Sequence, residues 1–309
     1  MRVLLALGGN AMTAKDGSAT PAAQIEAITT AMESVAALVA AGHEVVLTHG
    51  NGPQVGNILV KNELAAHVVP PVPLDWCGAQ TQGTIGFVVL NALEAAFAAQ
   101  GIDKPVAVLV TRALVDPEDA GFTHPSKPIG RYLPHEQAEQ MMGHGQVWED
   151  RGEKGWRRIV ASPRPLEVLE TATIRTLIDA GHIVVAAGGG GIPVIRREDG
   201  TLRGIEAVID KDLTAALLAD ALEADALVIA TDVDHAILDY GTDHARPIEQ
   251  VTVTDMERYA AAGQFASGSM GPKVEAALQF ARIGGRSIIT SLHRIVDAVD
   301  DDFGTVISN

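Results

Sequence analysis

The chain has 309 residues, 47% hydrophobic and 20% charged, with 31 glycines and 15 prolines; this is enough for one large α/β domain or two smaller ones, and it excludes a mini-protein, a collagen-like repeat and disorder over the whole length. Lys+Arg 23 against Asp+Glu 39 leaves a net charge of −16. The surface as a whole therefore repels nucleic acid and anionic lipid, and an anionic ligand has to be held by a few fixed cations and backbone N–H groups.

In chain order, the run Val3-Leu4-Leu5-Ala6-Leu7 ends at Gly8-Gly9, too short for an export signal, and reads as a first buried strand. Strands are predicted at 3–7, 44–48, 106–111, 183–187, 226–230 and 287–290. Helices are predicted at 22–41, 54–66, 79–99, 165–180, 211–221, 272–283 and 292–299. This alternation is the pattern of an α/β fold with a mostly parallel open sheet covered by helices. Gly42, Gly101, Gly181 and Gly284 each stand between a helix and the next strand, the position of a left-handed helix terminator. Asp199-Gly200 marks a hairpin between 194–197 and 202–205. From about 116 to 161 the rhythm breaks: prolines at 117, 125, 128 and 134, two tryptophans and several histidines predict an inserted lobe with short strands, a candidate lid. The remainder of 1–309 is expected to be a single domain. The apolar segment around Phe87 carries Asn91 and Glu94, which argues against a membrane span. The single cysteine, Cys77, excludes an internal disulfide framework and fits a cytoplasmic protein.

Four strand ends run into glycine or acidic punctuation: Gly8-Gly9-Asn10-Ala11, Gly50-Asn51-Gly52-Pro53, Gly188-Gly189-Gly190-Gly191 and Thr231-Asp232-Val233-Asp234. In an open α/β sheet such ends share one edge, where ligands bind. Glycine lets the backbone approach an anion, and a following helix N-terminus adds partial positive charge. Lys211, in Asp210-Lys211-Asp212, and Lys273, in Gly268-Ser269-Met270-Gly271-Pro272-Lys273, sit at helix starts. A cation there opposes the helix dipole unless an anion is bound. Lys127 lies between Ser126 and Pro128 on a stiffened segment of the lobe.

Other chemistries fail on spacing. There is no G-x-x-x-x-G-K-[ST]; Gly50, Gly52 and Gly56 form only a loose relative of the dinucleotide pattern, without its acidic residue downstream. His124, His135 and His144 lack metal-ligand spacing, so no protein metal site is expected. No G-x-S-x-G elbow occurs, and Cys77 reads as a small buried residue.

The strings Ala6-Leu7-Gly8-Gly9-Asn10-Ala11, Thr48-His49-Gly50-Asn51-Gly52-Pro53-Gln54-Val55-Gly56, Thr81-Gln82-Gly83-Thr84-Ile85-Gly86, Lys127-Pro128-Ile129-Gly130, Glu206-Ala207-Val208-Ile209-Asp210-Lys211-Asp212 and Gly268 to Val274 resemble carbamate kinase, of the amino acid kinase superfamily. The resemblance spans nearly the whole chain. It implies a three-layer αβα sandwich with a small protruding lobe, a homodimer, and reversible Mg²⁺-dependent phosphoryl transfer between ATP and carbamate. Carried over by position, Gly8, Gly9, Asn10, Gly50, Asn51 and Gly52 would surround the transferred phosphoryl group and the acceptor with donors. Lys211 and Lys273 would neutralise the phosphates, Asp210 and Asp212 would orient the lysines or metal-bound water, and Lys127 would reach in from the lobe. Gly189, Gly190, Asp232, Met270 and Gly271 would belong to the nucleotide end, with ATP or ADP carrying the Mg²⁺. Arg112, Ser126 and Arg131-Tyr132-Leu133 depart from the family's usual Gln, Thr and Pro-Phe-Tyr. Two alternatives are a kinase of another small acid on the same fold and a nucleotide-binding sensor without turnover.

Overall fold

The structure, a computed structural model, describes residues 1–9, 20–265 and 270–309. Its frame is an eight-stranded sheet in the order Gln250–Thr252, Thr305–Ser308, Arg286–Ser291, Ala226–Thr231, Arg2–Leu7, Glu44–His49, Ile183–Val185, Val106–Val108. From Arg286–Ser291 to Val106–Val108 every neighbouring pair is parallel, whereas Thr305–Ser308 runs antiparallel to Arg286–Ser291. Side chains alternate strictly between the two faces, as a period-2 strand requires. Leu4, Ala6, Val46, Leu227 and Ile229 point into one apolar cluster, with the helices Thr171–Asp179, Lys211–Ala221, Val253–Ala261 and Met270–Arg282. Val3, Leu5, Leu7, Val45, Leu47 and Val228 point into the other, with the helices Pro21–Ala40, Leu74–Gln100 and Ile295–Asp300. Burial on both faces explains why these strands read as unbroken apolar runs. The result is the expected αβα sandwich.

Local signals set the helix ends. Thr20 caps Pro21–Ala40, its hydroxyl accepting from the Ala23 N–H at 3.3 Å, the arrangement favoured at an N-cap followed by proline. Gly101, at φ 69°, closes Leu74–Gln100, its N–H donating to Ala98 O at 3.4 Å and the Ile102 N–H to Phe97 O at 3.0 Å. Leu74–Gln100 is the one described helix long and apolar enough to cross a membrane by length and composition. Its Ile85, Val89, Leu93 and Phe97 are packed inside the domain against the layer of Pro21–Ala40.

Three expectations change. The strand predicted at 106–111 stops at Val108, and Arg112–Val115 joins a second sheet with Leu202–Gly204, Ile192–Arg196 and Pro165–Val168. The break is held by Gln82, whose amide oxygen accepts from Thr111 N (2.9 Å) and whose amide nitrogen donates to Thr111 O (3.1 Å); a side chain replaces the ladder bonds there. The helix predicted at 165–180 is a strand, Pro165–Val168, followed by a helix, Thr171–Asp179. Proline is tolerated at the first residue of an edge strand as readily as at a helix start. The helix predicted at 292–299 begins as a 3-10 turn, Leu292–Arg294, before Ile295–Asp300. The hairpin around Gly200 forms between Ile192–Arg196 and Leu202–Gly204.

The segment at 116–161 folds into a three-stranded antiparallel sheet, Lys127–Leu133, Trp156–Val160 and Val147–Asp150, with the helix His135–Gly143. Ile129 and Val160 pack on Val55, Leu59, Leu74 and Cys77. A register shift between Ile129 and Tyr132 coincides with Gly130 at φ 67°, and a Cβ on Gly56 would lie 3.3 Å from the Gly130 Cα. These two glycines let the helix Gly52–Ala65 and the strand of Lys127 approach backbone to backbone.

Leu93 is fully buried between the sheet and Pro21–Ala40. Leu93→Ala is expected to lower unfolding free energy by about 2–5 kcal/mol, measured by urea unfolding; a loss below about 1 kcal/mol would contradict this packing.

Candidate active site

The C-terminal ends of Arg2–Leu7, Glu44–His49, Ala226–Thr231 and Ile183–Val185 open along one edge of the sheet. The turns after the first two strands meet there. The Gly8 N–H donates to Ala230 O at 3.0 Å and the Gly50 N–H to Leu7 O at 3.1 Å. A Cβ on Gly50 would lie 3.1 Å from the Gly9 nitrogen and 3.5 Å from the Lys211 Cδ. The expectation that Gly8 and Gly50 supply donors to a ligand is therefore corrected: both N–H groups are spent on neighbouring strands. What glycine provides is the close meeting of two turns and a lysine. Asn10 lies outside the described residues, as do Gly268 and Ser269. Gly52 opens the helix Gly52–Ala65 beside this meeting point.

Asn51 is held by its amide, which donates to the Thr81 hydroxyl at 2.8 Å. The turn at Gly188–Gly190 presses on the same loop, since a Cβ on Gly189 would collide with the Asn51 amide and one on Gly188 with the His49 ring. Gly190 O accepts from the Thr214 hydroxyl at 2.9 Å and Gly188 O from the Gln82 amide at 2.9 Å. Gly189 and Gly190 thus stand with Asn51, and the strands Arg2–Leu7 and Glu44–His49 separate them from Asp232. The sequence reading grouped them with the nucleotide end; the sheet order groups them with the Gly50–Gly52 turn.

The lysines converge on two aspartates. Asp210 caps the helix Lys211–Ala221: one carboxylate oxygen accepts from Asp212 N (2.9 Å) and Leu213 N (3.4 Å), and the other takes the Lys127 ammonium at 2.6 Å. Asp212, 4% exposed, receives Lys211 on Oδ1 and Lys273 on Oδ2, the latter at 3.0 Å. Lys273, 6% exposed, belongs to Met270–Arg282, so Asp212 ties two helix starts together. Neither lysine is the solvated surface residue that a lone lysine usually is. Three ammonium groups face two carboxylates, which leaves one positive charge in a protein of net charge −16, a local seat for an anion.

Burial shapes the titration here. It would by itself raise the Asp212 carboxyl, but the Lys211 and Lys273 ammonium groups outweigh it and hold the group at about 2, against an ordinary 3.8. Burial lowers Lys211, with Asp212 acting against that and Lys273 adding to it. Burial also lowers His49, whose Nδ1 lies 3.0 Å from Gly50 O and which Lys211 pushes further down. A neutral His49 therefore donates from Nδ1 to the Gly50 carbonyl.

At the other end of the edge, Asp232 is exposed and accepts from the Thr231 hydroxyl at 3.0 Å. Met270 packs against the apolar cluster that includes Phe265 and Val274, and a Cβ on Gly271 would lie 2.9 Å from Phe265 O. Arg112 binds Glu170, with its backbone N–H and its Nε donating at 2.7 Å each; Arg131 pairs with Glu63 at 3.4 Å; Ser126 is exposed. Burial pushes the Cys77 thiol up, in keeping with an unreactive residue. Among the described residues no three His, Cys, Asp or Glu side chains are placed to hold a metal. Sequence reasoning missed Thr81, Gln82 and His49 as parts of the site. Their partners lie up to 106 residues away in sequence, and only their presence in the quoted strings marked them.

The folded-state value of Asp212 lies below its unfolded value, so its contribution is complete above pH 3.8 and is lost as pH falls from 3.8 towards about 2. At 1.36 kcal/mol per unit this is on the order of 2 kcal/mol. Asp212→Asn, which leaves two buried ammonium groups without their counter-charge, is expected to cost about 3–5 kcal/mol at pH 7 and to flatten this acid limb, both measured by urea unfolding across pH. Unchanged stability with an unchanged acid limb would refute the ion triad.

The model of the amino acid kinase family matches residues 1–291. Carbamate kinase 1 of Enterococcus faecium is 42% identical over 99% of both chains. The carbamate kinase-like protein YqeA of Escherichia coli K12 is also 42% identical, over 99% of this chain and 98% of its own. Among solved structures, carbamate kinase from Giardia lamblia bound to AMP-PNP superposes with a TM-score of 0.93 at 42% identity, covering 99% of this chain and 98% of that one. With this agreement in sequence and in fold, the chain belongs to the amino acid kinase family.

Proposed function

We propose that the chain is a carbamate kinase, which moves a phosphoryl group reversibly and in line between ATP and carbamate, without a covalent enzyme intermediate. The observation that carries this reading is the Lys211–Asp212–Lys273 triad at the glycine-lined edge of the sheet, in a chain whose full-length relatives are carbamate kinases. Phosphoryl transfer asks little covalent chemistry of the protein. It needs the phosphates aligned and the charge on the equatorial oxygens compensated.

In this reading Lys211 and Lys273 face the transferring phosphate, with Asp212 fixing both ammonium groups and Asp210 setting the helix start. Lys127 comes from the 116–161 segment, and its bond to Asp210 holds that segment over the site. Asn51, locked by Thr81, and the Gly50–Gly52 turn border the acceptor, with Gly189 and Gly190 behind them. Gly9 stands between the two substrates. Asp232, Met270 and Gly271 border the nucleotide. No general base is required, because carbamate already bears its nucleophilic oxygen as an anion. Among the described residues there is no carboxylate cage: both oxygens of Asp212 and both of Asp210 are engaged. Mg²⁺ would therefore ride on the nucleotide phosphates, where it supplies charge neutralisation.

The exposed Phe87 and Val110, both 64% exposed beside the edge strand Val106–Val108, favour association of two copies into a homodimer. The unpaired Cys77 supports a cytoplasmic setting. A second reading, a kinase for another small acid, is favoured by Arg112 and Arg131. Each forms an ion pair where the family usually has an uncharged residue, and a relative called only carbamate kinase-like stands at the same identity.

The test is ATP formation from ADP, Mg²⁺ and carbamoyl phosphate, with acetyl phosphate as control. Rapid synthesis confined to carbamoyl phosphate is expected, and Lys211→Ala or Lys273→Ala should each lower turnover by ~10²-fold or more. No ATP from folded, nucleotide-binding protein would move the assignment to another acid or to a sensor. Near-normal turnover in both variants would overturn the roles.

A further inference from the structure

A cavity of about 780 Å³ lies between the 116–161 segment and the body of the domain, within the range of about 300–1,000 Å³ typical of small-molecule sites. None of Lys127, Asp210, Lys211, Asp212 and Lys273 lines it. One wall is apolar, formed by Leu59, Val72, Leu74 and Val160. The titratable groups on its lining are Arg158, Glu206, Glu63 and His144.

Arg158 is the informative residue. It is half-buried on the strand Trp156–Val160, its Nε is buried with no hydrogen-bond partner, and it makes no ion pair among the described residues. Burial lowers its guanidinium, and Glu206 and Glu63 act on it in the opposite sense. Glu63 is already paired with Arg131 at 3.4 Å. Glu206 lines the cavity and makes no ion pair among the described residues. A partly desolvated guanidinium favours a planar carboxylate, which it can grip with two parallel bonds. A simple anion would gain at Arg158 and lose beside the two glutamates. A molecule with a carboxylate and an ammonium a few bonds apart satisfies both signs at once, and the apolar wall receives the remainder.

We propose that this cavity binds a free α-amino acid with an apolar side chain, its carboxylate on Arg158, its ammonium on Glu206 and its side chain against Leu59, Val72, Leu74 and Val160. The site is separate from the phosphoryl-transfer machinery and stands whether or not the acceptor is carbamate.

Isothermal titration of the full chain with L-leucine tests it, with and without saturating AMP-PNP and Mg²⁺. One saturable site is expected, retained when nucleotide is bound. The two half-molecules, 4-methylpentanoate without the ammonium and 3-methylbutylamine without the carboxylate, should each bind roughly tenfold or more weakly. Glu206→Gln, at an exposed position, should weaken leucine by a similar factor and leave 4-methylpentanoate unaffected or tighter. Arg158→Gln should weaken leucine and 4-methylpentanoate together; should that variant not fold, the half-molecules and Glu206→Gln decide the question. Absence of saturable leucine binding, full displacement by nucleotide, or equal leucine affinity in Glu206→Gln would overturn the proposal.

Discussion

A single buried carboxylate, Asp212, shared between the ammonium groups of Lys211 and Lys273, is the constraint on which the arrangement of the site depends. Two charges of one sign at buried positions are tolerable only with a counter-charge between them. That requirement fixes the starts of Lys211–Ala221 and Met270–Arg282 relative to each other. The cap at Asp210, one residue before the helix, then draws in Lys127 from the three-stranded sheet. A hydrophobic replacement of such a triad is often as stable. Its value here lies in a residual positive charge, pre-positioned and largely shielded from water, where electrostatic interactions are stronger than in solvent.

The glycine turns serve the same end by a different route. Their N–H groups mostly complete the sheet or pack against neighbours, as Gly8 and Gly50 do. What the absent side chains permit is the convergence of the Gly8–Gly9 turn, the Gly50 turn and the Lys211 stem within van der Waals contact. The site is thus assembled from four strand ends, brought together by the sheet order. The half-buried amide of Asn51 and the buried amide of Gln82 cross-link its loops.

The central strands were legible because burial on both faces leaves long apolar runs, and helix ends followed where Gly42, Gly101, Gly181 and Gly284 marked them. The short strands Gln250–Thr252 and Thr305–Ser308 carry no such run and were not anticipated. Pro165 carries two meanings, a helix start and an edge-strand start, and only its pairing partner in Arg112–Val115 decides between them. Lys211 and Lys273 stand out in the sequence as candidate site residues because a cation at a helix start is electrostatically misplaced without an anion. Their common partner does not, since Asp212 and Lys273 are 61 residues apart and nothing in local spacing encodes that contact. The placement of Gly189 beside Asn51 likewise depends on strand order, which a glycine run does not reveal.

Because Lys211 and Lys273 share one carboxylate, they are expected to act as a unit. The most direct measurement is a double-mutant cycle in kcat for carbamoyl-phosphate-dependent ATP synthesis, comparing Lys211→Ala, Lys273→Ala and the double variant. Strong non-additivity is expected, with the double variant losing little more than the worse single variant, as for residues that work together in one catalytic device. Losses that multiply would show two independent cations and contradict a site organised around Asp212.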